Sequence, residues 1–252
     1  MASTNGKPAN GTRSTTNGKL TDSKPTTATV PATETVTVTE TATQAQTATV
    51  TELTPEQQLN QLVAEARAAQ EIMRSFTQEQ VDEIVRAMAN AALANHERLA
   101  RLAVEETGMG VYEDKVQKNL FASEYVYNDI RDKRTVGVLR EFPEEGYMEV
   151  AEPVGVIAGI TPVTNPTSTT IFKSLISLKT RNPIVFSFHP KAFHCSAETA
   201  RILREAAVAA GAPPGCISWV EPVTIEATQA LMRHPGVALI LATGGAGMVA
   251  AA

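Results

Sequence analysis

The run Val154-Gly155-Val156-Ile157-Ala158-Gly159-Ile160 constrains this chain most. It is continuously apolar, as expected of a strand buried on both faces, and such strands belong to parallel sheets covered by helices. The residues downstream keep that pattern. A helix is predicted from about Pro166 to Thr180, a strand over Pro183–Ser187, and a helix over Ser196–Ala210 closed by Gly211 and Pro213. A strand over Ile217–Val220, a helix over Ile225–Arg233 and a strand over Ala238–Leu241 come next. Alternation of this kind means βαβ units on one sheet. Just upstream, Val136–Leu139 and Tyr147–Ala151 have the texture of short strands that pair as a hairpin.

The region before the sheet is helical. Thr54-Pro55-Glu56-Gln57 offers an N-cap, a proline at the first helical position and an early carboxylate. Leu59, Leu62, Val63, Ala66, Ala69 and Ile72 follow at helical spacing. A second helix starts at Thr77, with Gln80 at the capping-box position, and carries Val81, Ile84, Val85, Met88, Ala91 and Ala92 on one face. Gly108 and Gly110 punctuate its end, and a third helix spans Glu113 to Asp132. These helices read as packing elements whose charged residues, and His96, face solvent.

Residues 1–52 differ in composition. They are Thr-rich and nearly free of large apolar side chains, so a disordered tail is expected there despite the period-two alternation over Thr33–Glu40. Residues 53–252 then form the folded part. The formal net charge of -5 argues against a nucleic-acid partner held through phosphates. No apolar run approaches the ~20 residues that span a bilayer, and the N-terminus lacks the apolar core of a secretory signal, so cytoplasm is expected. Neither Cys195 nor Cys216 has metal-ligand spacing, and no metal site is expected.

Two segments could carry chemistry. Gly159-Ile160-Thr161-Pro162-Val163-Thr164-Asn165-Pro166 joins a buried strand to a helix, at the ligand edge of an open α/β sheet. Thr164 and Asn165 can offer donors there, of the sort an oxyanion or a carboxamide needs. The structural alternative is that Asn165 caps the helix with Pro166 at its first position, and composition alone favours it. Thr243-Gly244-Gly245-Ala246-Gly247 is the second segment; glycines between strand and helix let backbone approach a phosphate. It matches neither a Walker loop nor G-x-G-x-x-G. His189-Pro190-Lys191 places a cation after the second strand, where it could meet an adenosine ribose or phosphate, or simply form a solvated loop. The adjacent pair His194-Cys195 is a weak nucleophile candidate, and Cys216 reads as a small buried hydrophobe.

Several longer stretches carry a resemblance: Ser75-Phe76-Thr77-Gln78-Glu79-Gln80-Val81-Asp82, Phe121-Ala122-Ser123-Glu124-Tyr125, Ala151-Glu152-Pro153-Val154-Gly155, Thr164-Asn165-Pro166-Thr167-Ser168-Thr169, Ile171 to Asn182, and Leu241-Ala242-Thr243-Gly244-Gly245. Over Glu56–Ala252 the chain resembles the N-terminal acylating aldehyde dehydrogenase part of the bifunctional aldehyde-alcohol dehydrogenases. The resemblance implies an aldehyde dehydrogenase-like α/β fold: N-terminal helices and a Rossmann-type parallel sheet. It implies an NAD(H)-dependent, CoA-acylating reaction, acetyl-CoA + NADH ⇌ acetaldehyde + CoA + NAD+, with a cysteine thiolate as nucleophile. It places Ile160, Thr161, Pro162, Val163, Thr164, Asn165 and Gly245 at the cofactor, and makes Thr164 or Asn165 the oxyanion donor. It also implies a homo-oligomer in a full-length parent.

Within the family the nucleophilic Cys follows the Gly-rich loop, so neither Cys195 nor Cys216 matches it. The sheet is expected to be incomplete, with Ala252 as a truncation point one turn into a helix, and the 252-residue chain is expected not to turn over aldehyde. The alternative reading is a catalytically inactive protein that binds cofactor or full-length subunits.

Overall fold

A computed structural model describes residues 53–252. The expected Thr-rich tail, residues 1–52, lies outside the described residues. The chain opens with helix α1 (Pro55–Arg74), whose N-terminus carries the expected capping box between Thr54 and Gln57. Helix α2 (Gln78–Ala94) begins with the second box, between Thr77 and Gln80. Each box satisfies two backbone donors that the first helical turn leaves free.

The expected long second helix is instead two. It breaks at Asn95 into α2 and α3 (His96–Thr107), and α3 ends on left-handed Gly108. Asn95 turns its side chain back to the Ala91 carbonyl, 2.8 Å away, and leaves helical geometry. Helix α4 (Tyr112–Leu120) runs through a single π-helical turn (Phe121–Tyr125) into α5 (Val126–Ile130). On α1, Met73 takes the buried position expected of Ile72, which faces solvent.

Strands β1 (Gly137–Phe142) and β2 (Tyr147–Ala151) form the antiparallel hairpin. Then come β3 (Val156–Ile160), α6 (Pro166–Lys179), β4 (Ile184–Ser187), α7 (Phe193–Ala209), β5 (Ile217–Trp219), α8 (Ile225–Arg233), β6 (Val237–Ala242) and α9 (Ala246–Ala251). The four-stranded sheet is parallel throughout and ordered β5-β4-β3-β6. Counted within the sheet this is 3-2-1-4, the order of the first four strands of a dinucleotide-binding doubly wound fold.

Alternate residues of each buried strand serve opposite layers. Ile157, Ile184 and Phe186 point into a core built with α2, α6 and α7. Val156, Ala158 and Val185 point to the other face, where Leu59, Val63 and Ala66 of α1 meet Leu231 of α8. Gly159 must lack a side chain, because a Cβ there would stand 2.8 Å from both Ile184 and Phe186. The layers are pinned by polar groups at the sheet's amino-terminal edge. Asn182 accepts from the Gly155 amide at 3.0 Å, and the Arg181 guanidinium donates to the carbonyls of Arg74 and Ala151.

Candidate functional site

Strand order decides where a ligand can sit. After β3 the chain goes to one side through α6, and after β5 it returns through α8 to the other side of β3. The loops leaving β3 and β6 therefore diverge, opening a crevice at the carboxyl edge. A cavity of ≈ 790 Å³ fills that place, within the usual range for small-molecule sites. Its wall includes Ile160, Thr161, Pro162, Val163, Thr164, Asn165, Gly244 and Gly245. All seven residues named from the sequence as cofactor contacts are thus gathered around one cleft, although Gly245 lies far along the chain from the rest. Most of the remaining wall comes from Ser187 to Lys191, at and beyond the end of β4, and from residues of α8 and the loop before it, including Thr224, Thr228 and Met232.

Two buried lysines shape this edge. Lys173 reaches from α6 and donates from Nζ to the carbonyls of Ile160, at 2.6 Å, and Leu241. It thereby ties the ends of β3 and β6 together at the point where they begin to part. The Thr243 amide, donating to the same Ile160 carbonyl at 3.0 Å, completes the stitch. Burial lowers the Lys173 pKa from 10.5 to about 8, since a low-dielectric surrounding disfavours the charged amine. Lys115, from α4, donates to the Thr164 carbonyl at 2.7 Å and holds the 161–165 loop from outside. Desolvation, helped by the neighbouring Lys118 charge, pushes its pKa down.

Sequence reasoning missed both lysines. It took the charges on α4 as solvated, whereas Lys115 is buried. A signal was available for Lys173, which is the only charge in the first thirteen residues of α6. Its target carbonyls were not legible, because they depend on strand order.

Asn165 does not act as a side-chain cap. Its backbone starts α6 and its carbonyl accepts from the Thr169 amide, but the side chain makes no capping hydrogen bond. Its Oδ1 is buried without a partner, as is Thr161 Oγ1. Orphaned buried polar atoms cost about 1–3 kcal/mol each, so two of them on one cleft wall suit a ligand with complementary groups. Asn165 also lines a second cavity, of ≈ 600 Å³, with Phe121, Phe172, Ala122 and Val126. The residue thus stands where the two cavities meet, while Thr164 lines only the first.

At Gly245 a Cβ would meet nothing within 4 Å. The space in front of that backbone is open, as close approach by a phosphate or a ring requires. Thr161, Asn165 and Gly245 thus put two unpartnered polar atoms and an open stretch of backbone on the wall of one cleft.

The two cysteines do not fit a catalytic role. Cys195 and Cys216 are buried and free. Burial pushes the Cys195 thiol far above its ordinary range, aided by the Glu106 carboxylate, and the Cys216 thiol up to about 12. Neither lines either of the two cavities that meet at Asn165. Glu106 instead caps α7, accepting from the amides of His194 and Cys195 at 2.8 and 2.7 Å. His194, too, lines neither of the two cavities that meet at Asn165. His234 is likewise structural: its Nδ1 accepts from the Gly236 amide and its Nε2 pairs with Asn60.

Comparisons with known proteins identify the family and the fold. The model of the aldehyde dehydrogenase family matches residues 29–250. Aldehyde-alcohol dehydrogenase 2 of Entamoeba histolytica is 56% identical over 202 residues, which cover 79% of this chain and 23% of that protein. An acetylating aldehyde dehydrogenase from Geobacillus thermoglucosidasius superposes with a TM-score of 0.77 at 54% identity, covering 78% of this chain and 44% of that one. An engineered glycolyl-CoA reductase with bound NADP+ superposes at 0.68 and 33% identity, covering 77% and 44%. A Rhodopseudomonas palustris propionaldehyde dehydrogenase with bound CoA and an acylated cysteine superposes at 0.66 and 33%, again covering 77% and 44%. The chain spans about a quarter of the first relative and under half of these solved structures. With the family model covering most of its length and relatives above half identical, the chain belongs to the aldehyde dehydrogenase family.

Proposed function

We propose that residues 53–252 supply the cofactor side of a CoA-acylating aldehyde oxidoreductase, with NAD(H) as hydride carrier and CoA as co-substrate. In the longer parent protein the reaction is acetyl-CoA + NADH ⇌ acetaldehyde + CoA + NAD+. The observation that carries the reading is the meeting of the 161–165 loop with Gly244–Gly245 at the sheet's switch point. The relatives' activities, acetylating and propionaldehyde dehydrogenase among them, support the reaction class.

When bound, the nicotinamide accepts or gives a hydride at the carbonyl carbon. The chain's own residues position and polarise. Lys173 and Lys115 hold the two loops, and the Gly245 backbone accommodates close approach. Asn165 is our choice over Thr164 for the donor to the carbonyl oxygen, because it faces both cavities. A preorganised donor where negative charge develops lowers the barrier by stabilising that charge. The second cavity, with Phe121 and Phe172, would receive the aldehyde's alkyl end. Neither Cys195 nor Cys216 is placed to form the thioester, so we assign the nucleophile to residues beyond these 252. A cytoplasmic homo-oligomer is the proposed setting. Among the described residues no helix is long and apolar enough to cross a membrane, and Tyr147, Met148 and Val150 of the hairpin are exposed as a contact surface would be.

The test is NADH binding, followed by nicotinamide fluorescence. Gly245→Ala adds a methyl into open space and should leave stability unchanged while weakening NADH roughly tenfold or more. Unchanged affinity would remove the cleft from the account. The 252-residue protein should form no NADH from acetaldehyde and CoA; measurable turnover would show that its own cysteines suffice.

A further inference from the structure

Helix α4 buries polar side chains where a packing element would bury apolar ones. A surface helix turns an apolar stripe to the core, whereas the residues that α4 buries are Lys115 and Asn119. Four positions apart, they share one face of the helix. Both reach the segment that opens α6, and they take hold on either side of Asn165. Lys115 Nζ donates to the Thr164 carbonyl at 2.7 Å. Asn119 Oδ1 accepts from the Thr167 hydroxyl at 2.8 Å. Asn119 is itself fixed. Its Nδ2 donates to the His96 carbonyl at 2.9 Å, and its own carbonyl accepts at 2.8 Å from Ser123 Oγ, in the π-helical turn.

Asn165, between the two, departs from what its neighbours along the chain favour. An N-cap has an extended backbone and a side-chain oxygen that accepts from the second or third amide of the helix. The proline that follows also favours an extended backbone. Thr54, Thr77 and Thr224 obey, with ψ of 158°, 166° and 166° and a side-chain cap bond each. Asn165 has ψ 60°, no cap bond and an unpartnered buried Oδ1. Local chemistry would deliver a cap, so the departure comes from contacts made elsewhere in the fold, and the two from α4 bracket the residue. Lys115, Asn119 and Thr167 line neither of the cavities that meet at Asn165, so their influence on a ligand passes through it.

We propose that α4 is a two-point clamp, in which Lys115 and Asn119 hold residues 164 and 167 so that the Asn165 side chain stays off the α6 N-terminus and faces the two cavities. Asn119, acting through Thr167, is a positioning residue, as is Lys115. The use of the clamp, to aim a donor at the carbonyl oxygen, rests on the function proposed above; the clamp itself does not. Released, Asn165 should turn back and cap α6, its Oδ1 accepting from the Thr167 or Ser168 amide.

The experiment is a double-mutant cycle on the 252-residue protein, read by urea unfolding. Asn165→Ala is made in the unaltered chain and in Thr167→Val, which keeps the side-chain shape and deletes the hydroxyl. In the unaltered chain Asn165→Ala should leave the unfolding equilibrium constant unchanged or lower it. In Thr167→Val it should raise that constant about fivefold, as loss of a cap does. Thr167→Ser keeps the hydroxyl and should restore the unaltered behaviour. Lys115→Met frees the other end, should show the same reversal, and serves if Thr167→Val does not fold. A merely structural Thr167 would lower stability without changing the sign of the Asn165→Ala effect. An effect of one sign in all backgrounds overturns the proposal. NADH fluorescence tests the cofactor reading separately: the reversal, in a chain that binds no NADH, would uphold the clamp and refute the dinucleotide site.

Discussion

Replacing Lys173 by Met tests the account of the switch point directly. Methionine keeps the apolar stem and deletes the ammonium. At neutral pH two effects oppose. The carbonyls of Ile160 and Leu241 lose a donor, at about 1 kcal/mol each and less for Ile160, which keeps the Thr243 amide. Against this, a charge no longer has to be buried. The folded-state pKa of about 8, against an ordinary 10.5, corresponds to roughly 3 kcal/mol in favour of the neutral amine.

The sign of the pH dependence follows from that depression. Below about pH 8 the amine is charged in both states and the folded state bears the whole desolvation penalty. Between about pH 8 and 10.5 the unfolded chain holds a proton that the folded one has released, so stability rises with pH. The stability of the unaltered chain minus that of Lys173→Met should therefore be flat near neutrality and grow by about 2 kcal/mol by pH 9.5. Taking the difference cancels the cysteines, which titrate in both proteins. Urea unfolding at several pH values measures it. A flat or falling difference would refute the claim that burial sets the charge of Lys173.

Gly159→Ala should cost about 1–3 kcal/mol in the same assay, since its methyl collides with Ile184 and Phe186 in a packed layer; a neutral result would mean that the layer yields freely. Asn165→Ala should leave stability unchanged or raise it by up to about 1–3 kcal/mol, because it removes an orphaned buried oxygen, whereas loss of a capping asparagine would lower stability by about 1 kcal/mol. Both thiols should resist a thiol-specific disulfide reagent until the protein unfolds, and rapid labelling of Cys195 in the native state would contradict its burial. Because the folded-state thiol pKa values are raised, the cysteines' contribution is intact below about pH 9 and is lost as pH rises beyond it. With Cys216 at about 12, that loss should first be felt in alkaline unfolding curves.

The predicted elements were legible where short-range rules settle the matter. Thr54 with Gln57 and Thr77 with Gln80 announce helix starts because donor and acceptor lie within one turn. The α8 boundaries, Ile225 and Arg233, matched the sequence reading. The break at Asn95 did not, since neither Gly nor Pro marks it, and the burial of Lys115 was hidden by an otherwise solvated helix. For Asn165, local composition favoured a cap, and the structure shows a side chain that makes no such bond.

Patterns along the chain were enough to define the βαβ alternation, the buried strands and the chemistry on offer: a donor pair at Thr164–Asn165, glycines at 244 and 245, a cation at Lys191. These follow from side-chain period and backbone freedom, which are properties of neighbours along the chain. Their meeting at one cleft is a property of the folded sheet. That depends on β6 pairing with β3, and not with β5, on Lys173 reaching carbonyls 13 and 68 residues away, and on Lys115 gripping a loop 49 residues distant. Strand order is set by how whole faces bury against one another, and no local pattern carries that information.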